Sequence, residues 1–416
     1  MISKSTDKKI LIIGGGPAGM MAAITAARAG SQVMLLEKMP ALGRKLLLTG
    51  QGRCNVTNNL DPRQFIADCG PGARFLYGAL DRFSSQDTLD FFEQLGVRMV
   101  LERGGRFFPE SQKSRDILLA LQKALKQAGV EVITNARVLN ISKQLQGYRI
   151  STPGKTYSAD TLIIATGGKS YPATGSTGDG YGLAKTFGHI IVPPRPSDVP
   201  LTIKEDFVKQ LQGLSLKNVA LNFSQGKKKI SFFGEMLFTH YGISGPIALD
   251  ASRQVGRWLK DGPAQCSIDL KPALSNEILD QRLLRDMDLQ GRKTYKNFLK
   301  GLLPASLIPV FCSLSRISPD ALVNQLNKEQ RGATKKLLKG INFTVTGLRG
   351  YDEAVVTAGG VDLSEVNPKT MESKKTSGLY FCGEVLDLDG PCGGYNLQIA
   401  WSTGFAAGSS ATGRSF

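Results

Sequence analysis

Residues 10–13, ILII, are apolar without a break, as expected of a parallel strand covered on both faces. Glycine follows at positions 14, 16 and 19, and an alanine- and methionine-rich run then leads to Gly30, a good stop for a helix. Pro17 falls where the first turn of a helix tolerates proline. A second apolar run over residues 32–36 ends in Glu37. The pattern predicts strand, tight turn, helix, strand and acid, in that order. In such a unit Gly14 permits the turn, Gly16 lets backbone amides approach a pyrophosphate, and Gly19 lets the helix pack on the strand. The carboxylate of Glu37 can accept hydrogen bonds from ribose hydroxyls. A dinucleotide site is the expectation; a purely structural turn is the alternative.

Residues 161–168, TLIIATGG, predict another buried strand ending in glycines, after a meander around residues 148–150 and a Pro153-Gly154 turn. Residues 378–408 add a strand, an acidic loop, a glycine cluster and a closing helix from near Tyr395. The nucleotide-binding fold is thus split in sequence. No second strand–GxGxxG–helix unit occurs. A permanently bound FAD suits that arrangement, whereas a simple NAD dehydrogenase keeps its halves contiguous. Between the halves, VPPRPSDVP reads as a linker. Alternation in LTIKEDF and in KNVALNFSQGKKKISFFGEMLFTH predicts an antiparallel barrel or sheet with a hairpin tip at residues 225–229. The pattern turns helical over residues 276–339. The expected class is α/β: a Rossmann-like FAD-binding domain over residues 1–194 and 341–416, an inserted antiparallel β-barrel-like domain over 195–275, and a small basic helical domain over 276–340.

A chain of 416 residues is too long for one ordinary core, and 41% hydrophobic with 21% charged residues is a globular composition. No apolar run reaches the roughly 18 residues of a membrane span, and no secretion signal is read at the N-terminus. The six cysteines are scattered without a C-x-x-C pair, so no metal is expected and a reducing cytoplasm is the expected compartment. Charge changes the picture more. The net charge is +17, and residues 201–350 hold 23 Lys and Arg against 12 Asp and Glu, while residues 351–416 hold 4 against 8. A field of that sign favours polyanions. Lys293, Lys296 and Lys300 recur at i, i+3 and i+7, and Lys335, Lys336 and Lys339 cluster likewise, so either cationic binding faces or solvated helix faces are implied.

Seven motifs, IIGGGPAGMMAA, GRKLLLTGQGRCNVTN, GRFFPESQKS, IATGGKSYPATGSTGDGYGLA, FTHYGISGP, TAGGV and CGEVLD followed by GGYNLQIAWSTG, occur in an order that resembles the BaiN/RdsA family of FAD-dependent oxidoreductases, also known as aminoacetone-oxidase-like flavoproteins. The resemblance spans essentially the whole chain. It implies that Pro17, Ala18 and Lys38 join the glycines and Glu37 at the cofactor. It places Arg44 and Lys45 near the pyrophosphate and residues 50–55, with Gly52, Arg53, Cys54 and Asn55, beneath the isoalloxazine. It also implies contacts from Val138, Thr166, Gly167, Gly168, Gly383, Glu384, Gly394, Tyr395, Asn396 and Leu397. Cys54, His240 and Cys392 are the candidate catalytic groups; each is also readable as a packed side chain, and at Cys392 family members more often carry threonine. Some members are similar to ribosomal RNA dihydrouridine synthases that use NADH, so NADH or NADPH is the expected transient reductant; others act in bile-acid double-bond reduction or amine oxidation. The basic residues 201–350 favour RNA, with the six lysines named above as its contacts and 23S ribosomal RNA as the partner.

Overall fold

The computed structural model describes residues 8–413. They form two compact units, one built from the residues up to Ser197 and from Tyr351 onward, the other from Asp198–Gly350.

The first unit centres on five parallel strands in the order Leu379–Phe381, Thr161–Ile164, Lys9–Ile13, Gln32–Leu36, Glu131–Ile133. Ile10, Leu11 and Ile12 are buried on both faces, which is why that run carries no alternation. The helix Pro17–Arg28 follows the central strand, and Gly19 is needed where they meet: a Cβ there would stand 1.9 Å from the Gly14 carbonyl oxygen. The closing helix, Tyr395–Ala411, packs on that first helix through Gly404 and Gly408, where a Cβ would stand 2.4 and 2.3 Å from the carbonyl oxygens of Ala18 and Ala22. Backbones that close admit no side chain between them. The expected meander is present as the antiparallel strands Asn140–Lys143, Tyr148–Thr152 and Lys155–Ala159.

The second unit is a closed barrel in the order Leu201–Ile203, Gly242–Ser244, Lys228–Thr239, Ser215–Gln225, Ala264–Asp269, Ile341–Leu348. Its inward positions, among them Leu221, Phe223, Phe238, Ile268 and Phe343, are buried in one core. The long hairpin turns at Gly226 and Lys227, within the expected tip. The helices Asn276–Leu289, Tyr295–Leu299, Ile308–Ser315 and Lys328–Lys339 occupy the region read as helical.

Two boundaries differ from the expectation. Residues 341–348 do not return to the nucleotide fold; Ile341–Leu348 pairs with both Ala264–Asp269 and Leu201–Ile203 and so closes the barrel, its alternate residues Ile341, Phe343 and Val345 pointing into the core. The chain re-enters the first unit at Tyr351. The proline-rich segment is a strand, Ile191–Ser197, antiparallel to Val356–Val361. Its register shifts between Val192 and Arg195, where Pro193 and Pro194 have no N–H to give the ladder. Among the described residues no helix is long and apolar enough to cross a membrane.

Candidate functional site

The parallel strands of the first unit end at a common cleft of about 1340 Å³, its open mouth included. Ile13 and Gly14 reach it from the first strand, Leu36 and Glu37 from the second, Ala165 and Thr166 from a third and Gly383 from a fourth. Gly14 takes φ 110°, and a Cβ on it would meet the Ala165 carbonyl oxygen at 2.4 Å, so the turn requires glycine. Gly16 is different. It is extended, lines the cleft, and a Cβ on it would meet nothing within 4 Å. The Glu37 carboxylate accepts from the backbone N–H groups of Gly15 at 2.7 Å and Met39 at 2.8 Å, which fixes the acid beside the glycine turn.

Cations surround this cradle. Lys38 pairs with Asp179 at 2.9 Å, and Arg44 donates to the Ala173 carbonyl at 3.4 Å. Lys45 pairs with Glu384 at 2.7 Å and donates to Ser170 Oγ, while the other Glu384 oxygen accepts from the Thr357 N–H at 2.8 Å. Burial works to raise the Asp179 carboxyl, but hydrogen bonds from Lys38 and Thr177 outweigh it and hold the group below the usual carboxylate range. Apolar wall is supplied by Val138, Leu183, Val355, Val356 and Leu388. The residues present fit FAD: open glycine backbone and cations for a diphosphate, a fixed acid for a ribose, an apolar wall for a flat ring. Thr166 lines the same wall, but its Oγ1 is buried beside Gly180, where a Cβ would stand 1.9 Å from it, and is not turned into the cleft.

Of the expected cofactor residues, Gly14, Gly16, Pro17, Ala18, Glu37, Lys38, Arg44, Lys45, Val138, Thr166, Gly167, Gly383, Glu384, Asn396 and Leu397 line this cleft. Gly19 and Gly168 stand behind it as packing positions. Gly52, Arg53, Cys54 and Asn55 are off its lining; of the loop around them, Thr49 reaches it. Arg53 is instead held by Glu102 at 3.1 Å and Gln112 at 2.8 Å, over the Phe108 ring. The Asn55 amide, with its oxygen accepting from Gly394 N–H at 3.0 Å, ties the loop to the start of the closing helix. Gly394 and Tyr395 are also off the lining; Gly394 abuts the Thr57 backbone, and the Tyr395 hydroxyl donates to Asp68 at 2.6 Å. Sequence reasoning left out Gly15, Ser176 and Asp179 of the lining, although Asp179 sits in the quoted motif STGDGYGLA and its spacing from Lys38 gave no cue.

The candidate catalytic groups are dispersed. Cys54 is fully buried at φ 64°, and burial pushes its thiol up to about 12. Cys392 is half-buried in the loop before the closing helix, near Tyr171, whose phenol burial pushes up with a further contribution from Cys392. His240, in the second unit, is exposed at the end of Lys228–Thr239, edge-on to Tyr241 at 4.8 Å. The other histidine, His189, is buried, with Nδ1 3.0 Å from Glu365 and Nε2 2.8 Å from Ser373 Oγ; Glu365 also pairs with Lys375 at 2.6 Å. Among the six lysines, Lys296 pairs with Asp320 at 2.7 Å and Lys335 with Asp280 at 3.3 Å. Lys339 is bound to Asp269 and to the carbonyls of Lys271 and Leu274, and Lys293 donates to Gln290.

The family model described as HI0933-like protein Rossmann domain matches residues 8–410. The chain is 35% identical over 98% of its length to the 3-dehydro-bile acid delta(4,6)-reductase of Clostridium scindens, covering 99% of that protein. It is 34% identical over 95% of its length to the ribosomal RNA dihydrouridine synthase of Escherichia coli, covering 96% of that protein. Among solved structures it shares the fold of 3-ketosteroid delta1-dehydrogenase from Sterolibacterium denitrificans, with TM-score 0.52, 12% identity, 98% of this chain and 100% of that one covered. With a whole-length family match and a cleft shaped for a dinucleotide, the chain belongs to the HI0933-like family and is an enzyme, an FAD-dependent oxidoreductase.

Proposed function

We propose that this enzyme reduces a uridine of 23S ribosomal RNA to dihydrouridine, with NADH as the source of reducing equivalents. The observation that carries the choice of substrate is charge: residues 201–350 hold 23 basic residues against 12 acidic, and a polyanion gives that excess a use that a small apolar substrate does not. The relative in Escherichia coli supports it. FAD, when bound, would supply hydride from N5 for C6 of the uracil, with a solvent proton completing C5. This chain's residues do the rest by position. Gly14 and Gly16 open the backbone toward the diphosphate, Lys38 and Arg44 offset its charge, and Glu37 holds a ribose. Lys45 is fixed at the wall by Glu384 and Ser170.

The two curated relatives suggest a shared reaction type, since a uracil C5=C6 bond and a delta(4,6) unsaturation of a 3-dehydro bile acid are both alkenes conjugated to a carbonyl. That kinship also supports a second reading, reduction of a bile-acid-like small molecule, which the 35% identity to the Clostridium scindens enzyme favours. Mass-spectrometric mapping of dihydrouridine in ribosomal RNA from a deletion strain separates the two. Loss of one modified site, restored by the gene, is the expected result. An unchanged map, together with turnover of a 3-oxo-4,6-diene steroid, would move the assignment to the small molecule. The sequence carries a single G-x-G-x-x-G unit, so NADH has to use the flavin's own cleft and leave before the acceptor enters. Parallel double-reciprocal lines are expected; intersecting lines would contradict this order.

A further inference from the structure

We propose that the RNA strand docks in a groove of the second unit formed by the helices Tyr295–Leu299 and Ile308–Ser315 and the loop that follows them; this rests on the RNA-reductase reading. The groove is open to solvent and spans about 1250 Å³, its mouth included. Its floor is apolar, with Ile308 and Ile317 buried and Pro309 and Pro319 exposed along the walls. Three cations stand on it: Lys296, Lys300 and Arg316. Lys296 is paired with Asp320, but Lys300 and Arg316 are exposed and have no ion-pair partner among the described residues. Two unpaired cations over an aliphatic floor complement a nucleotide strand, whose phosphates take the guanidinium fork and the ammonium while a base lies against the prolines. An acidic peptide offers the charges without the flat face.

Arg316 supplies an independent observation. It caps Ile308–Ser315 in the left-handed conformation, φ 56° and ψ 31°, at a position that glycine ordinarily fills. A branched-off cation held at a strained position, where glycine would serve the fold better, points to use of its guanidinium. The helix Lys328–Lys339 has a weaker claim, because Lys335 and Lys339 are committed to Asp280 and Asp269, and the exposed Lys336 does not line this groove.

The test is fluorescence anisotropy of the holoenzyme with a labelled oligouridylate of about twelve nucleotides, a length matched to single-strand sites, beside a polyglutamate peptide of equal charge. Lys300→Gln with Arg316→Gln should weaken oligouridylate binding roughly tenfold and lower the salt slope by about 1.4, two contacts at about 0.7 each. Lys335→Gln with Lys336→Gln should change the slope by less than half as much. Arg316→Gly should weaken RNA binding yet raise Tm by roughly 2–4 °C, a pairing that a merely structural arginine cannot give. Equal losses in the two double variants, or polyglutamate bound as tightly as oligouridylate, would overturn the groove. If dihydrouridine disappears from the deletion strain while the Lys300/Arg316 variant binds RNA like the parent, the groove falls and the substrate reading stands. An unchanged dihydrouridine map removes the substrate reading instead.

Discussion

Gly16 and Gly19 sit three residues apart in one motif, and alanine at each should have opposite consequences. At Gly16 the backbone is extended and a Cβ would meet nothing within 4 Å, so Gly16→Ala should fold. Restricting the unfolded chain at such a compatible position adds about 0.4–1 kcal/mol of stability. The same Cβ projects into the cleft where a diphosphate has to approach the backbone. Loss of one charge-assisted hydrogen bond there costs about 1.5–3 kcal/mol, which is roughly a 10- to 150-fold weaker Kd for FAD. At Gly19 the Cβ would lie 1.9 Å from the Gly14 carbonyl oxygen, and no side-chain rotation relieves a contact between backbones. Gly19→Ala should lose stability and flavin together. The assay is flavin absorbance per chain after purification, fluorescence titration of apoprotein with FAD, and thermal melting of each variant. Parental FAD affinity in Gly16→Ala, or a Tm loss there matching that of Gly19→Ala, would refute the cradle.

Glu37→Ala strips the acceptor from the N–H groups of Gly15 and Met39 and should yield protein without flavin, while Glu37→Gln keeps part of it; a yellow, fully loaded alanine variant would contradict the assignment. Burial lowers the pKa of His189 despite Glu365, so between its folded value and the ordinary 6.5 the unfolded chain holds a proton that the folded chain does not. Stability should therefore fall as pH drops through that window, by at most about 1.4 kcal/mol per pH unit. Burial works to raise the Glu365 carboxyl, but Lys375 outweighs it and holds the group low, so its contribution should disappear as pH falls below the ordinary carboxylate range. In urea unfolding across pH, His189→Gln should abolish the first decline and leave the second; a parental profile would refute the assignment. In the native protein at mildly alkaline pH a disulfide reagent should label Cys69 and Cys392 readily, and Cys54, Cys266 and Cys382 only on unfolding, since burial pushes those three thiols up; rapid labelling of Cys54 would count against its burial.

The first strand, turn, helix and acid were legible because every level agrees there: an unbroken apolar run, glycine where the backbone turns or touches, and a carboxylate at the strand end. Residues 50–55 were harder. Their glycines and arginine suit a flat anionic ring, yet Arg53 is claimed by Glu102 and Gln112, partners 49 and 59 residues away that no local pattern announces. The end of the barrel was misplaced for a similar reason. INFTVTGL alternates plainly, but the helices between it and Ala264–Asp269 hide that the two are neighbours in one sheet. Proline content suggested a linker where an interrupted ladder exists, because composition registers missing donors and not the pairing that continues on either side of them.

The glycine contact between the first and closing helices has a consequence for the order in which the protein is made. Gly404 and Gly408, against which the backbones of Ala18 and Ala22 close, are translated nearly 400 residues after them. The face of the first helix that they cover stays open throughout that interval. Asn396, Leu397, Ile399 and Ala400 of the cleft wall arrive in the same late segment. Meanwhile Asp198–Gly350, one uninterrupted stretch with its own core, is complete well before. Cofactor loading is thus tied to synthesis of the closing helix, and a chain stopped before Tyr395 carries the motif for its cofactor without a closed site to hold it.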